Sequence, residues 1–194
     1  MNECRKTFQV GYFLSSTFVT YCLLSIATID YHNEIERIGF LFFAVMTLIS
    51  GITAITTIGS ILDTTKFSKT YGTQDVDLKP LNTVSSSIMF NEIIIPVTFA
   101  AIAFNKSTIA TLAIIVIYQF CQYQVFKGDG FMPNLTLELV GIRAYQVTKS
   151  SLADSRLEYV FAKKQWLKTE RFGTAVNLTG NDNATIGVIK PTKD

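Results

Sequence analysis

Ile38-Gly39-Phe40-Leu41-Phe42-Phe43-Ala44-Val45-Met46-Thr47-Leu48-Ile49-Ser50-Gly51-Ile52-Thr53-Ala54-Ile55-Thr56-Thr57-Ile58-Gly59-Ser60-Ile61-Leu62 contains no charged side chain. A helix crossing a hydrocarbon core needs roughly 20 mostly apolar residues, and this run exceeds that. Residues 7 to 29 and 107 to 126 are also free of charge, and residues 80 to 105 hold only Glu92. The runs are continuous rather than alternating over ten-residue segments, which favours helices over barrel strands. With 48% hydrophobic and 16% charged residues in a 194-residue chain, apolar surface exceeds what a soluble domain of this size buries. The expected fold is an α-helical integral membrane protein: a four-helix transmembrane domain over 1–126, then a small, mainly β cytoplasmic domain over 127–194.

Lys and Arg alternate along this layout. Two precede the first run (Arg5, Lys6), one follows it (Arg37), three lie in the next connection (Lys66, Lys69, Lys79), one follows the third run (Lys106) and ten lie beyond the fourth. Cations collect on the cytoplasmic side, so both termini are expected inside the bacterial inner membrane in a multi-pass arrangement. The alternative for the first run is a cleaved signal sequence with Arg5-Lys6 as its basic region, but the run is long for one.

The third run reads Leu81-Asn82-Thr83-Val84-Ser85-Ser86-Ser87-Ile88-Met89-Phe90-Asn91-Glu92-Ile93-Ile94-Ile95-Pro96. Glu92 lies near its middle, and a charged acid there costs several kcal/mol unless it is protonated, paired or facing water. Pro96 lacks the N–H that would bond the Glu92 carbonyl, so a kink is expected. Across the short turn Asn105-Lys106-Ser107, position 120 matches the depth of Glu92. Gln119 and Gln122 flank that level as possible hydrogen-bond partners. Asn91, Glu92, Pro96, Gln119 and Gln122 form the candidate polar or switch site. A re-entrant segment remains the alternative, and would remove Glu92 from the midplane.

In the second run, Thr47/Gly51 and Ser50/Ala54 have the small-xxx-small spacing that lets helix backbones approach. Packing within one subunit accounts for it as well as self-association does. A symmetric homo-oligomer, such as a tetramer, is nevertheless expected.

In the tail, 135 to 139 and 142 to 147 alternate in period two, with Gly141 as a bulge between them. Leu157 to Phe161 reads as a strand, with a helix over 157 to 172 as the alternative. Ala175 to Leu178 and Thr185 to Ile189 flank Gly180-Asn181-Asp182-Asn183 as a hairpin. Lys163, Lys164, Trp166, Lys168, Arg171 and Phe172 form a candidate surface for docking a soluble partner, Trp and Arg being favoured interface anchors. Direct nucleic-acid or anionic-lipid contact is the weaker reading, because Lys and Arg are what the cytoplasmic rule already predicts.

Catalytic patterns are lacking: there is no P-loop, GxSxG or GxGxxG. His32 is the single histidine and no cysteine cluster accompanies it, so no metal or cofactor is implied and the chain is expected not to be an enzyme. The layout of apolar runs, with Gly141-Ile142-Arg143-Ala144-Tyr145-Gln146-Val147 and Glu158-Tyr159-Val160-Phe161-Ala162-Lys163-Lys164 in the tail, resembles the KwaA family, the membrane subunits of Kiwa bacterial antiphage systems. The resemblance rests on length and layout and assigns no role to a numbered residue. It implies a non-enzymatic membrane sensor that assembles with itself and with soluble, DNA-binding KwaB. The expected function is therefore a sensor and scaffold coupling envelope disturbance to a cytoplasmic effector. The alternative is an oligomeric ion or proton channel with Glu92 lining the path.

Overall fold

The computed structural model describes residues 3–30, 32–66, 73–80, 94–98, 107–129, 134–150, 157–167, 172–178 and 186–191. Helix α1 spans Glu3–Ser16, α2 Phe18–Ala27 and α3 Glu34–Lys66, and strand β1 covers Thr73–Pro80. Helices α4, Thr108–Asp129, and α5, Leu135–Leu139, precede strands β2 (Ile142–Ser150), β3 (Tyr159–Lys163), β4 (Phe172–Asn177) and β5 (Ile186–Ile189). A single 3₁₀ turn, Lys164–Trp166, follows β3.

The boundary between α1 and α2 has a local cause. Ser15, Ser16 and Thr17 each turn a hydroxyl back on a carbonyl three residues earlier, those of Tyr12, Phe13 and Leu14, at 2.7, 2.7 and 2.8 Å. Such back-bonding competes with the helical ladder and bends it. Helix α3 begins on a reciprocal cap: the Glu36 N–H donates to Asn33 Oδ1 at 2.9 Å, while the Glu36 carboxylate accepts from Asn33 Nδ2 and the His32 N–H.

The chain divides into two compact units. One comprises Met1–Gly11, Ile55–Thr83 and Leu137–Asp194, the other Tyr12–Ala54 and Val84–Thr136. In the helical unit, Tyr21 and Leu24 of α2, Phe43 of α3 and Ile115 of α4 are buried together. Small and hydroxyl residues of α3, among them Ser50, also face inward, whereas Ile38, Leu41, Val45, Leu48 and Ile52 are each half exposed or more. A soluble helix presents the reverse pattern, and an outward apolar stripe of this length suits lipid.

The four-span, tail-last architecture expected from the sequence is not the one observed. Among the described residues two helical stretches are long and apolar enough to cross a membrane, Phe8–Ala27 and Glu34–Asp63, whereas Thr108–Gln124 is a shorter apolar helix. Nor is the β structure confined to a domain after the helices. Strand β1 comes from the connection before the third apolar run and closes a five-stranded barrel in the order β1-β2-β3-β5-β4. It pairs antiparallel with both β2 and β4, and the one parallel pair is β3 with β5.

Residues 81 to 141 therefore leave and re-enter the barrel between adjacent antiparallel strands, near the pairing of Pro80 with Tyr145. A segment that includes α4 and α5 occupies what would otherwise be one inter-strand connection. Along β1, Gln74, Val76 and Leu78 are buried inside the barrel while Asp75 and Lys79 are exposed, the period-two pattern of a half-buried strand. All four residues of β5 are buried, because both faces are covered. Its neighbour β3 is covered from outside by α1: the Phe8 and Phe161 rings lie 5.6 Å apart, tilted by 55°.

The barrel's order, with its single parallel pair, is that of the OB fold, which binds oligonucleotides on the face of its second and third strands. Here Ile142 and Phe161, outward-facing on those strands by their register, are fully buried. That face is occupied, so topology alone carries no function.

Two further expectations are corrected locally. Residues 135 to 139 are helical rather than extended, and Gly141, with φ of 79°, ends that helix instead of forming a bulge. Residues 157 to 172 do not form one helix, since β3 and the 3₁₀ turn lie there. Strand β2 and the antiparallel pair β4 and β5 fall where their patterns place them.

Candidate functional site

The helical unit holds one polar contact of a kind that marks a joint. Asn134 lies between α4 and α5, only 2% exposed. Its amide donates to the Ser15 hydroxyl at 2.7 Å and to the Tyr12 carbonyl at 3.0 Å, at the break between α1 and α2. Ser15 is itself fully buried and donates to the same Tyr12 carbonyl at 2.7 Å. Three polar groups thus satisfy one another in an apolar environment, where an unmade bond is costly. Two residues past Asn134, the Thr136 hydroxyl is buried with no partner among the described residues.

Neither Asn134 nor Ser15 was among the expected site residues. A signal existed in the run Ser15-Ser16-Thr17, three hydroxyls inside an otherwise apolar stretch. Asn134 carried only the pattern of a glycosylation sequon, which says nothing of burial.

Of the expected polar site, Asn91 and Glu92 lie outside the described residues. Pro96 is buried within a helical segment at 94–98. Gln119 and Gln122 are half-buried on α4, and Gln122 Nε2 donates to the Tyr118 hydroxyl one turn back, at 2.8 Å.

The small residues of α3 pack against α2 within the subunit. Thr47 Oγ1 lies 2.9 Å from the Ser25 hydroxyl, and a methyl group on Gly51 would meet the Phe18 ring at 3.2 Å. Ser50 and Ala54 are buried as well.

In the barrel unit, Lys163 is half-buried and Lys164 exposed, and Lys163 Nζ stands 5.7 Å from the centre of the Trp166 ring. Trp166 is only 8% exposed and Phe172 53%, so of these two aromatics Phe172 is the one available to a partner. Lys168 and Arg171 lie outside the described residues. Arg143 Nε approaches Glu138 Oε1 at 3.7 Å. Burial raises the Tyr145 hydroxyl above its ordinary pKa; Arg143 opposes that rise and Glu138 adds to it. Among the described residues no group of three or more His, Cys, Asp or Glu side chains is placed to hold a metal ion.

No curated protein and no solved structure matches the chain. A family model described as anti-phage protein KwaA matches residues 8–183, which takes in both apolar spans and strands β1 to β4. The chain therefore belongs to the KwaA family of anti-phage proteins.

Proposed function

We infer that the protein is a non-enzymatic membrane subunit of an antiphage system, in which the helical unit registers a disturbance of the envelope and the barrel passes it to a soluble cytoplasmic effector. Membership of the KwaA family supports the defence role, and the two exposed apolar helices support the membrane anchor. The observation that carries the coupling is the bonding of Asn134 to Ser15 and Tyr12 at the helix break. Asn134 opens α5, and α5 runs within two residues into β2, so a change at the break is one short helix away from a barrel strand along the chain.

The excess of Lys and Arg beyond residue 126 supports a cytoplasmic barrel. The effector is KwaB-like, as the family implies, and copies of this chain assemble with one another around it. Affinity purification of the full chain from cells carrying the complete defence locus tests this reading. Recovery of a soluble partner, together with liposomes that pass no ions, is the expected result. Liposomes that conduct, with no partner recovered, would overturn it in favour of a channel.

A further inference from the structure

The end of the barrel where α5 joins β2 has a chemistry that the coupling role does not use. Val140 and Gly141 face Lys163, Lys164 and Gln165 across an open concavity. Val140 is 41% accessible there, and Leu139, its neighbour in the chain, is 72% accessible. The positive charge there is not cancelled. Glu138 is 18% exposed and engaged with Arg143, and neither Lys163 nor Lys164 has an ion-pair partner among the described residues. Lys163 is held in place through the Trp166 face.

Exposed aliphatic side chains beside two lysines suit a surface that is apolar below and anionic above, as an acidic phospholipid leaflet is. An anionic phospholipid answers both features, its phosphate meeting the lysines and its acyl chains covering the exposed aliphatic side chains.

We propose that this concavity binds the headgroup of an anionic phospholipid of the host membrane, with Lys163 and Lys164 on the phosphate and Leu139 and Val140 in the acyl boundary. The contact would fix the barrel against the leaflet and make it responsive to local loss or clustering of acidic lipid. It rests on the membrane reading of the helices.

Trp166 is the only tryptophan in the chain and reports on Lys163 directly. The test is its emission in the full-length detergent-solubilised protein, titrated with dihexanoyl phosphatidylglycerol, dihexanoyl phosphatidylcholine, inorganic phosphate and a duplex oligonucleotide. A saturable change with phosphatidylglycerol is expected, with an affinity about tenfold or more above that for phosphatidylcholine. Lys163→Gln/Lys164→Gln should abolish that preference, and Leu139→Ser should weaken the lipid response without altering any response to phosphate.

Equal responses to both lipids, full competition by inorganic phosphate, or displacement by the oligonucleotide would each overturn the proposal. Alkaline carbonate extraction separates the two levels of failure. Release of the protein from membranes sinks the membrane reading, whereas retention with a Trp166 signal indifferent to phosphatidylglycerol sinks only the lipid contact.

Discussion

The Asn134 side chain donates to the Ser15 hydroxyl at 2.7 Å across 119 positions of sequence, with both residues buried. Removing that amide leaves a hydroxyl and a carbonyl short of a donor in a site without ready access to water. Asn134→Ala should therefore cost about 1–3 kcal/mol, read as a lowered midpoint in thermal unfolding of the detergent-solubilised protein. Asn134→Asp should be no milder, because an ionised carboxylate brings no N–H. An aspartate variant as stable as the wild type would show that the amide's donors do not matter.

Packing inside the barrel makes a sharper distinction. A methyl group on Gly187 would fall 2.9 Å from the Val176 carbonyl oxygen and 3.2 Å from Leu157, whereas the atoms nearest one on Gly173 belong to the Ile189 side chain, at 3.0 Å and beyond. Backbone cannot yield as a side chain can, so Gly187→Ala should cost about 1–3 kcal/mol and Gly173→Ala clearly less. Denaturant unfolding of the two variants checks the order, and a reversed order would contradict the barrel register.

The barrel should also weaken in alkali. Burial holds the Tyr145 hydroxyl above its ordinary value of 10.0, so the folded state keeps its proton where the unfolded chain has lost it. The resulting stability is complete below pH 10.0 and is lost as pH rises through the higher folded value. Unfolding midpoints measured on both sides of this range should fall less steeply for Tyr145→Phe than for the wild type. Parallel slopes would count against a buried Tyr145.

Thr136 supplies a test in the opposite direction. Its hydroxyl is buried without a partner among the described residues, and valine has nearly its shape. Thr136→Val should leave stability unchanged or raise it by about 1 kcal/mol. A loss of that size in the same unfolding assay would mean that the hydroxyl is engaged.

Much of this fold was legible in local periodicity. The 25 uncharged residues from Ile38 to Leu62 lie within one long helix, and strands β2, β4 and β5 lie where alternation and turn residues set them. The barrel's closure was not legible. Strand β1 alternates Gln74, Val76 and Leu78 with Asp75, Asp77 and Lys79, but its charges made it look like a loop between spans, and its partners on β4 lie about a hundred positions away. No local pattern encodes a pairing interrupted by a helical segment. Leu135–Leu139 went the other way: its period-two alternation suggested a strand, but Asn134 before it and the left-handed Gly141 after it bound a single helical turn. The candidate site was hidden for the same reason as the closure, because Asn134 gains its meaning only from Ser15 and Tyr12.

Coupling through Asn134 is the central claim, and phage plating on cells carrying the complete defence locus tests it most directly. Asn134→Ala should abolish protection while the protein stays in the membrane fraction and still recovers its soluble partner. Protection at the wild-type level in that variant, with membrane retention and partner binding intact, would contradict the account.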